Sequence, residues 1–403
     1  MRFSLRKKRH LALVGDSSTS ILAEILKSAG GVPGVKILSR AEGSLKDKQT
    51  LSKLLENITD IKGELSIALP LHFFEISSIY LPSMPEGAID KTLPYHLSKT
   101  LDKPLSDYIF DWQINFRVKD RMHLNVYLLP VSLFNHLRET FNNFQVSITY
   151  IEADIFSAFA FLDKHELFNK NETTLCALLW SHNITIGVLE KNLLTLTRTV
   201  VSKRPDTPYI SINDTLIKEN DTAGISKKVV YTDEGEKIIG DNEIEVKNEG
   251  VLSQNAIDDL LDSFNLFGDA AETQDKTGSS LNQENPLALE ETETEIISNI
   301  DFTVQPVLSE EQQTRYAWDN YLQTISLEIM RTRDYYGTVQ KGDAIKHIVV
   351  GGAGDCWNDL QETIMESLGA DILQFPETNL ASADVSTNLL NAICSGAGTR
   401  WYA

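Results

Sequence analysis

The chain has only three cysteines in 403 residues, Cys176, Cys356 and Cys394. They are far apart, odd in number and form no CxxC pair, which excludes a disulfide framework and a thiolate zinc site and suits a reducing compartment. No run of about 18 apolar residues exists, so no transmembrane helix is expected. The apolar stretch Leu11–Val14 behind the basic start is too short for the core of a signal peptide. Positive charge is scarce: 37 Lys and Arg stand against 57 Asp and Glu, a net charge of −20. Binding to nucleic acid needs a basic face, so no nucleic-acid partner is expected. The eight histidines are scattered without an HxxxH pair, and there is no GxSxG elbow, no GxGxxG and no GK[ST] loop. Neither a metal site nor a standard catalytic set is expected.

What is present is enough apolar material, 42%, for well-packed cores. A chain of this length suits two lobes with added material. The apolar runs predict strands at Leu65–Leu69, Ile79–Leu81 and Met122–Leu129. Helices are expected at Ala88–Leu101, interrupted by Pro94, at Pro130–Phe141 with Leu133, Leu137 and Phe141 on one face, and at Asp154–Leu162. Leu175–Trp180, Ile184–Glu190 and Leu194–Val201 read as three strands in series, joined at Ser181–Asn183 and Lys191–Asn192. Ser20–Ala29 reads from its own residues as a helix.

Between about Lys203 and Pro306 the composition turns polar and acidic. Asp269–Glu295 cannot bury enough surface to offset its ordering entropy, and the expectation there is disorder. A weak strand pair is expected at Lys228–Thr232 and Glu243–Val246. Globular patterning resumes at Leu308, with a long helix at Glu310–Tyr336 carrying Trp318, Leu322, Ile325 and Ile329 at helical spacing, a buried-type strand at His347–Val350 and a helix at Trp357–Leu368. The expected division is residues 1–170 as a first lobe, 171–202 opening a second, 203–307 as an acidic low-complexity insertion, and 308–403 as the remainder of the second lobe.

Two local features could carry function. Gly351-Gly352-Ala353-Gly354 lies between a strand and a helix, where backbone N–H groups can approach a phosphate or sugar; an ordinary structural turn is the other reading. Leu252–Phe264, LSQNAIDDLLDSF, reads as an amphipathic helix inside the acidic tract. Ser253 suits its N-cap, Leu252 and Ile257 form a hydrophobic staple, and Ile257, Leu260, Leu261 and Phe264 repeat at i, i+3, i+4 and i+7. Asp258 and Asp259 sit where the helix dipole favours acids. Such a helix docks into a partner's groove or covers the chain's own core.

In order along the chain, several segments resemble the PilM family of type IV pilus assembly proteins, members of the actin-like ATPase superfamily. They are MRFSLRKKRHLALVGDSS at the start, Leu65–Ile89 with its LPSM step, DYIFDWQI at Asp107–Ile114, Val146–Leu162, Ala177–Val200, Leu327–Tyr336, Ile348–Leu360 and Gly396–Arg400. The resemblance leaves out only about 203–307. It implies a two-lobed actin-like α/β fold, ribonuclease H-like in each lobe, and requires a strand where Ser20–Ala29 reads as helix. The segment with Leu252, Ser253, Gln254, Ile257, Asp258, Leu260, Leu261 and Phe264 also resembles the LSQxxIDxLL peptide of the flagellar switch protein FliM, which implies a CheY-like receiver domain as partner.

The departures from the family bear most on function. Actin-like lobes each open with an Asp-x-Gly loop whose carboxylate holds the metal beside the nucleotide phosphates. Aligned on Gly15, the first Asp is replaced by Leu13, and Asp16 falls three positions later. In the second lobe Leu179 and Ser181 replace the Asp and Gly, while Thr185 is kept. Gly352 and Gly354 are kept, but Asp355 adds an acid that would repel a phosphate. ATP is therefore expected to bind weakly or not at all, with Gly15, Asp16, Ser17 and Thr185 on the phosphate side and Glu328, Arg331, Gly352 and Gly354 on the sugar and base side; Glu328 and Arg331 equally suit a surface helix pair. The expected role is a non-catalytic cytoplasmic scaffold, peripheral at the inner membrane, that docks the cytoplasmic tail of a PilN-like platform protein. A nucleotide-dependent actin-like switch, a type II secretion protein and a cell-division actin-like protein are the alternatives.

Overall fold

The computed structural model describes residues 9–28, 31–56, 58, 61–167, 169–209, 230–232, 235–237, 309–368, 370–376 and 385–402. Met1–Thr215 and Leu308–Ala403 form one compact unit, and Leu216–Val307 another.

The first unit lays down one plan twice. Its first lobe contains β1 (Arg9–Gly15), β2 (Thr19–Leu26), β3 (Gly34–Glu42), α1 (Lys48–Leu55), β4 (Gly63–Leu69), β8 (Val146–Ala153) and α4 (Asp154–Lys164). The strand order is β3-β2-β1-β4-β8, antiparallel through the opening meander and parallel among β1, β4 and β8. The second lobe contains β9 (Thr173–Leu179), β10 (Asn183–Glu190), β11 (Leu193–Val201), α5 (Glu310–Thr338), β14 (Ile345–Gly351), α6 (Trp357–Leu368), β15 (Asp371–Gln374) and α7 (Val385–Gly398). Its order, β11-β10-β9-β14-β15, repeats the same pattern of directions. Between β4 and β8 the first lobe carries β5 (Glu75–Pro82), α2 (Glu86–Thr100), β6 (Tyr108–Val118), β7 (Arg121–Pro130) and α3 (Val131–Asn142). Here β5, β7 and β6 make an antiparallel sheet, and Ile89, Leu93 and Leu97 of α2 close a small core with it.

Local chemistry explains several of these elements. Lys191 and Asn192 take φ of 51° and 65°, the pair of positive values that lets a two-residue turn match the twist of β10 and β11. The long helix α5 opens with a capping box: Ser309 Oγ accepts from Gln312 N at 3.2 Å, and Gln312 Oε1 accepts from Ser309 N at 2.9 Å. Trp318, Leu322, Ile325 and Ile329 are buried against the second sheet, as their spacing predicts. Leu133, Leu137 and Phe141 of α3 are likewise buried, in the first lobe.

One apolar cluster joins the lobes. It includes Val14 and Ile21 from the first sheet, Leu178 and Val349 from the second, and Phe161 and Ile393 from α4 and α7. The last helix thus packs on α4 and on β1, β2 and β4 of the first lobe. The two helices cross closely at Gly396, where a Cβ would stand 1.9 Å from Ser157 O.

Two expectations are corrected. Ser20–Ala29 is not a helix: its residues form β2 as far as Leu26. Ladders with β1 and β3 on either side supply backbone bonds that outweigh local propensity. The strand at Val230–Thr232 (β12) pairs with Gly235–Lys237 (β13), a partner the sequence did not suggest; Glu243–Val246 lies outside the described residues. This hairpin belongs to the second unit. The helix read at Leu252–Phe264 and the tract Asp269–Glu295 also lie outside the described residues. Among the described residues, no helix is long and apolar enough to cross a membrane.

Candidate functional site

Where the two lobes meet, hairpin turns stand in equivalent places, one after β1 and one after β9. The first begins at Gly15 and the second at Trp180. Asp16, fully buried, ties them together. Its Oδ1 accepts from Ser18 N at 2.7 Å and Thr19 N at 2.6 Å. Its Oδ2 accepts from Ser181 Oγ at 2.8 Å and Ser181 N at 3.4 Å. Ser18 Oγ and Ser181 Oγ are 2.7 Å apart. Backbone N–H groups of tight turns are anion sites, and here one internal carboxylate takes those of both turns. Ser17, beside it, is half-buried, and its hydroxyl makes no hydrogen bond.

Behind the latch lies a second buried acid. Asp154 opens α4, and its Oδ1 accepts from Leu71 N at 3.1 Å and Ile155 N at 2.8 Å. Oδ2 accepts from the Trp180 indole at 2.8 Å and faces Thr185 Oγ1 at 3.4 Å. Burial pushes the Asp154 carboxyl up to about 7, opposed by these four donors. Thr185 therefore sits against Asp154 and not among the residues of the first turn.

Beside the second hairpin turn, Gly352 has φ of 85°, and a Cβ there would meet Leu179 O at 2.5 Å. Only glycine fits both the left-handed backbone and this approach. The carbonyls of this turn face a cation from an earlier part of the chain. Arg204 Nη1 donates to Gly352 O at 2.7 Å, Nη2 donates to Ala353 O at 2.9 Å, and the guanidinium lies 5.4 Å over the Trp318 ring. Gly354 opens the short turn that carries buried Cys356 into α6, and Asp355 is exposed.

Glu328 and Arg331 are engaged with each other. Arg331 Nη1 donates to Glu328 Oε1 at 2.8 Å, and Arg198 Nη2 approaches Oε2 at 2.7 Å as an ion pair without hydrogen-bond alignment. Glu328 is buried and both arginines are half-exposed.

Of the residues the sequence singled out, Gly15, Asp16 and Ser17 lie at the first turn, Thr185 on β10 against Asp154, Gly352 and Gly354 in the glycine turn, and Glu328 and Arg331 on α5. The partner of the glycine turn is Arg204. Reading the residues alone missed Ser181, Asp154, Trp180 and Arg204. Asp154, an acid set before an apolar helix and after Glu152 in an apolar strand, was the one of these with a visible signal.

Of the positions that the resemblance puts beside a nucleotide and its metal, Leu13 and Leu179 are buried apolar residues, the Ser18, Thr19 and Ser181 N–H groups are bonded to Asp16, and Arg204 holds the glycine turn. Among the described residues, no group of three or more His, Cys, Asp or Glu could hold a metal ion.

A separate groove of about 360 Å³ runs between the edge strands β6 and β8, lined by Ile109, Trp112, Tyr150, Ile151 and Phe156. Glu152 and Arg400 meet in it, with Arg400 Nε donating to Glu152 Oε2 at 2.9 Å.

No protein-family model and no curated protein matches the chain. Among solved structures, a "PilM-PilN type IV pilus biogenesis complex" superposes with a TM-score of 0.56 at 11% identity, covering 97% of this chain and 98% of that one. The cytoplasmic domain of EpsL, an inner-membrane component of the type II secretion system of Vibrio cholerae, gives 0.34 at 11% identity over 48% of this chain and 71% of that one. A Bacteroides thetaiotaomicron protein with an actin-like ATPase fold gives 0.32 at 12% identity, over 55% and 90%. The two doubled lobes with their shared strand order and the full-length superposition on the first of these give the chain an actin-like α/β fold.

Proposed function

We propose that the chain is a non-catalytic scaffold of a type IV pilus-type envelope assembly machine, held at the cytoplasmic face of the inner membrane by the tail of a PilN-like platform protein. The observation that carries the reading is the Asp16 carboxylate, which takes the N–H groups of Ser18, Thr19 and Ser181 from the two hairpin turns and so competes with a phosphate for them. Leu13 and Leu179 cannot ligate a hydrolytic metal ion where the resemblance would put carboxylates. ATP binding is then residual or lost.

The groove between β6 and β8 is the docking place in this reading. An extended peptide laid there can pair with an edge strand, and Trp112, Tyr150 and Phe156 offer contacts for its alternate side chains. A fluorescent peptide of the platform protein's cytoplasmic tail should bind the purified chain saturably, and Phe156→Glu should remove the binding. A tail that fails to bind would sink the docking role. ATP turnover at enzyme-like rates, abolished by Asp16→Ala, would sink the non-catalytic one.

A second partner rests on the LSQNAIDDLLDSF segment at Leu252–Phe264. Its apolar repeat suits the groove of a CheY-like receiver domain. Calorimetry of a receiver domain against the full chain should show binding that is lost when Ile257, Leu260 and Leu261 are all changed to Ala. Equal binding by both would assign the contact elsewhere.

A further inference from the structure

After β11 the chain stays on the surface of the second lobe. Val201, 90% exposed, is followed by a stretch laid over the second lobe. Ser202 N donates to His182 O at 3.1 Å, and Arg204 N to Ser181 O at 2.9 Å. The Arg204 guanidinium caps the Gly352 and Ala353 carbonyls. Thr207 O accepts from the Trp318 indole at 3.1 Å, and Tyr209 packs edge-on to the Trp318 ring with its hydroxyl bonded to Asp359. These residues bridge the second hairpin turn, the glycine turn and α5 at once. None of Ser202–Pro208 is buried, so apart from the Arg204 and Tyr209 side chains on Trp318 the stretch is held by hydrogen bonds that water can replace. Segments held this way open locally at far lower cost than a packed core.

We propose that Ser202–Tyr209 is a strap that the chain lays over its own glycine turn in the place of a ligand, and that the strap opens while both lobes stay folded. It governs access to the turn and to the thiol beneath it. Cys356 is buried, and its Sγ lies 3.0 Å from Ala353 O, the same carbonyl that Arg204 Nη2 caps. Cys176 and Cys394 lie instead in the apolar cluster that joins the lobes, away from the strap.

The three thiols make the test internal. The full-length chain is treated with a thiol reagent at pH 8 under native conditions, and the labelling rate of each cysteine is read by mass spectrometry. The expected order is Cys356 well ahead of Cys176 and Cys394, with Arg204→Ala speeding Cys356 about tenfold or more as its thiol, held by burial up to about 11, reaches solvent, and leaving the other two slow. Tyr209→Phe, which removes only the bond to Asp359, should raise the Cys356 rate by a smaller factor, and it decides the matter if Arg204→Ala unfolds and all three label together. Excess ATP should leave the wild-type rates unchanged. Equal slow labelling of all three cysteines in the wild type and in the folded variants would overturn the strap, and protection of Cys356 by ATP would show that the turn serves a nucleotide instead.

Discussion

Asp16 and Ser181 stand 165 positions apart in the sequence and 2.8 Å apart in space, joining the first turns of two lobes built on the same plan. Ser181 is the second lobe's counterpart of a loop glycine, so the hydroxyl that meets Asp16 exists because of a departure from the pattern the chain resembles. Removing the acid orphans buried donors on both turns. Asp16→Ala is expected to lower unfolding stability by about 3 kcal/mol, and Ser181→Ala by about 1 kcal/mol. Urea denaturation read by tryptophan fluorescence checks both. Equal, negligible losses would mean that water already serves these groups.

Asp154 makes part of the fold's stability depend on pH. Its carboxyl is raised to about 7 in the fold, while an unfolded Asp titrates near 4. Between those values the folded chain holds a proton that the unfolded chain has released. Stability from this group is therefore complete below about pH 4, falls as pH rises, and is lost above about 7. Asp154→Asn, which cannot titrate, should show a shallower decline in Tm between pH 5 and pH 8 than the wild type. Parallel declines would place the titration in another group.

The crossing of α4 and α7 leaves no room for a methyl group at Gly396. The contact is with backbone, at Ser157 O, and cannot be relieved by rotating a side chain. Gly396→Ala should cost roughly 3 kcal/mol, at the upper end for an overpacked site. Thermal unfolding measures it, and an unchanged Tm would mean that the helices shift apart freely.

Glu328, buried between two arginines, should be structural in effect. Glu328→Ala leaves Arg198 and Arg331 half-exposed and able to hydrate, so the loss should be about 1 kcal/mol. A much larger loss, or one dependent on added ATP, would give this residue a ligand-binding part.

The long helix and the two-residue turn at Lys191–Asn192 were legible because their signals are local: a repeat with Trp318, Leu322, Ile325 and Ile329, and two residues that tolerate positive φ. The strand β2 was not legible from its own residues. It is covered on both faces, so Ile21, Leu22 and Ala23 lose the alternation that marks a half-exposed strand, and the apolar run mimics a helix. Where the lobes meet, Leu13 and Leu179 could be read directly as departures from the pattern the sequence resembles. Their neighbours could not, because Asp16, Ser181 and Arg204 come together only through tertiary structure. Glu328 and Arg331 pair along their helix, but Glu328 is buried where a surface pair is the sequence's expectation, with Arg198 added from a strand.

The helix α7 lies near the end of the chain yet finishes the core of the lobe that begins it. During synthesis the opening sheet therefore emerges with part of its apolar face bare, and it stays so until residue 398 has cleared the ribosome. Such surface attracts chaperones and, failing them, other nascent chains. The order of translation and the order of folding run against each other here, and a transcript cut short before Val385 would yield two unfinished lobes, not one sound lobe and one broken one.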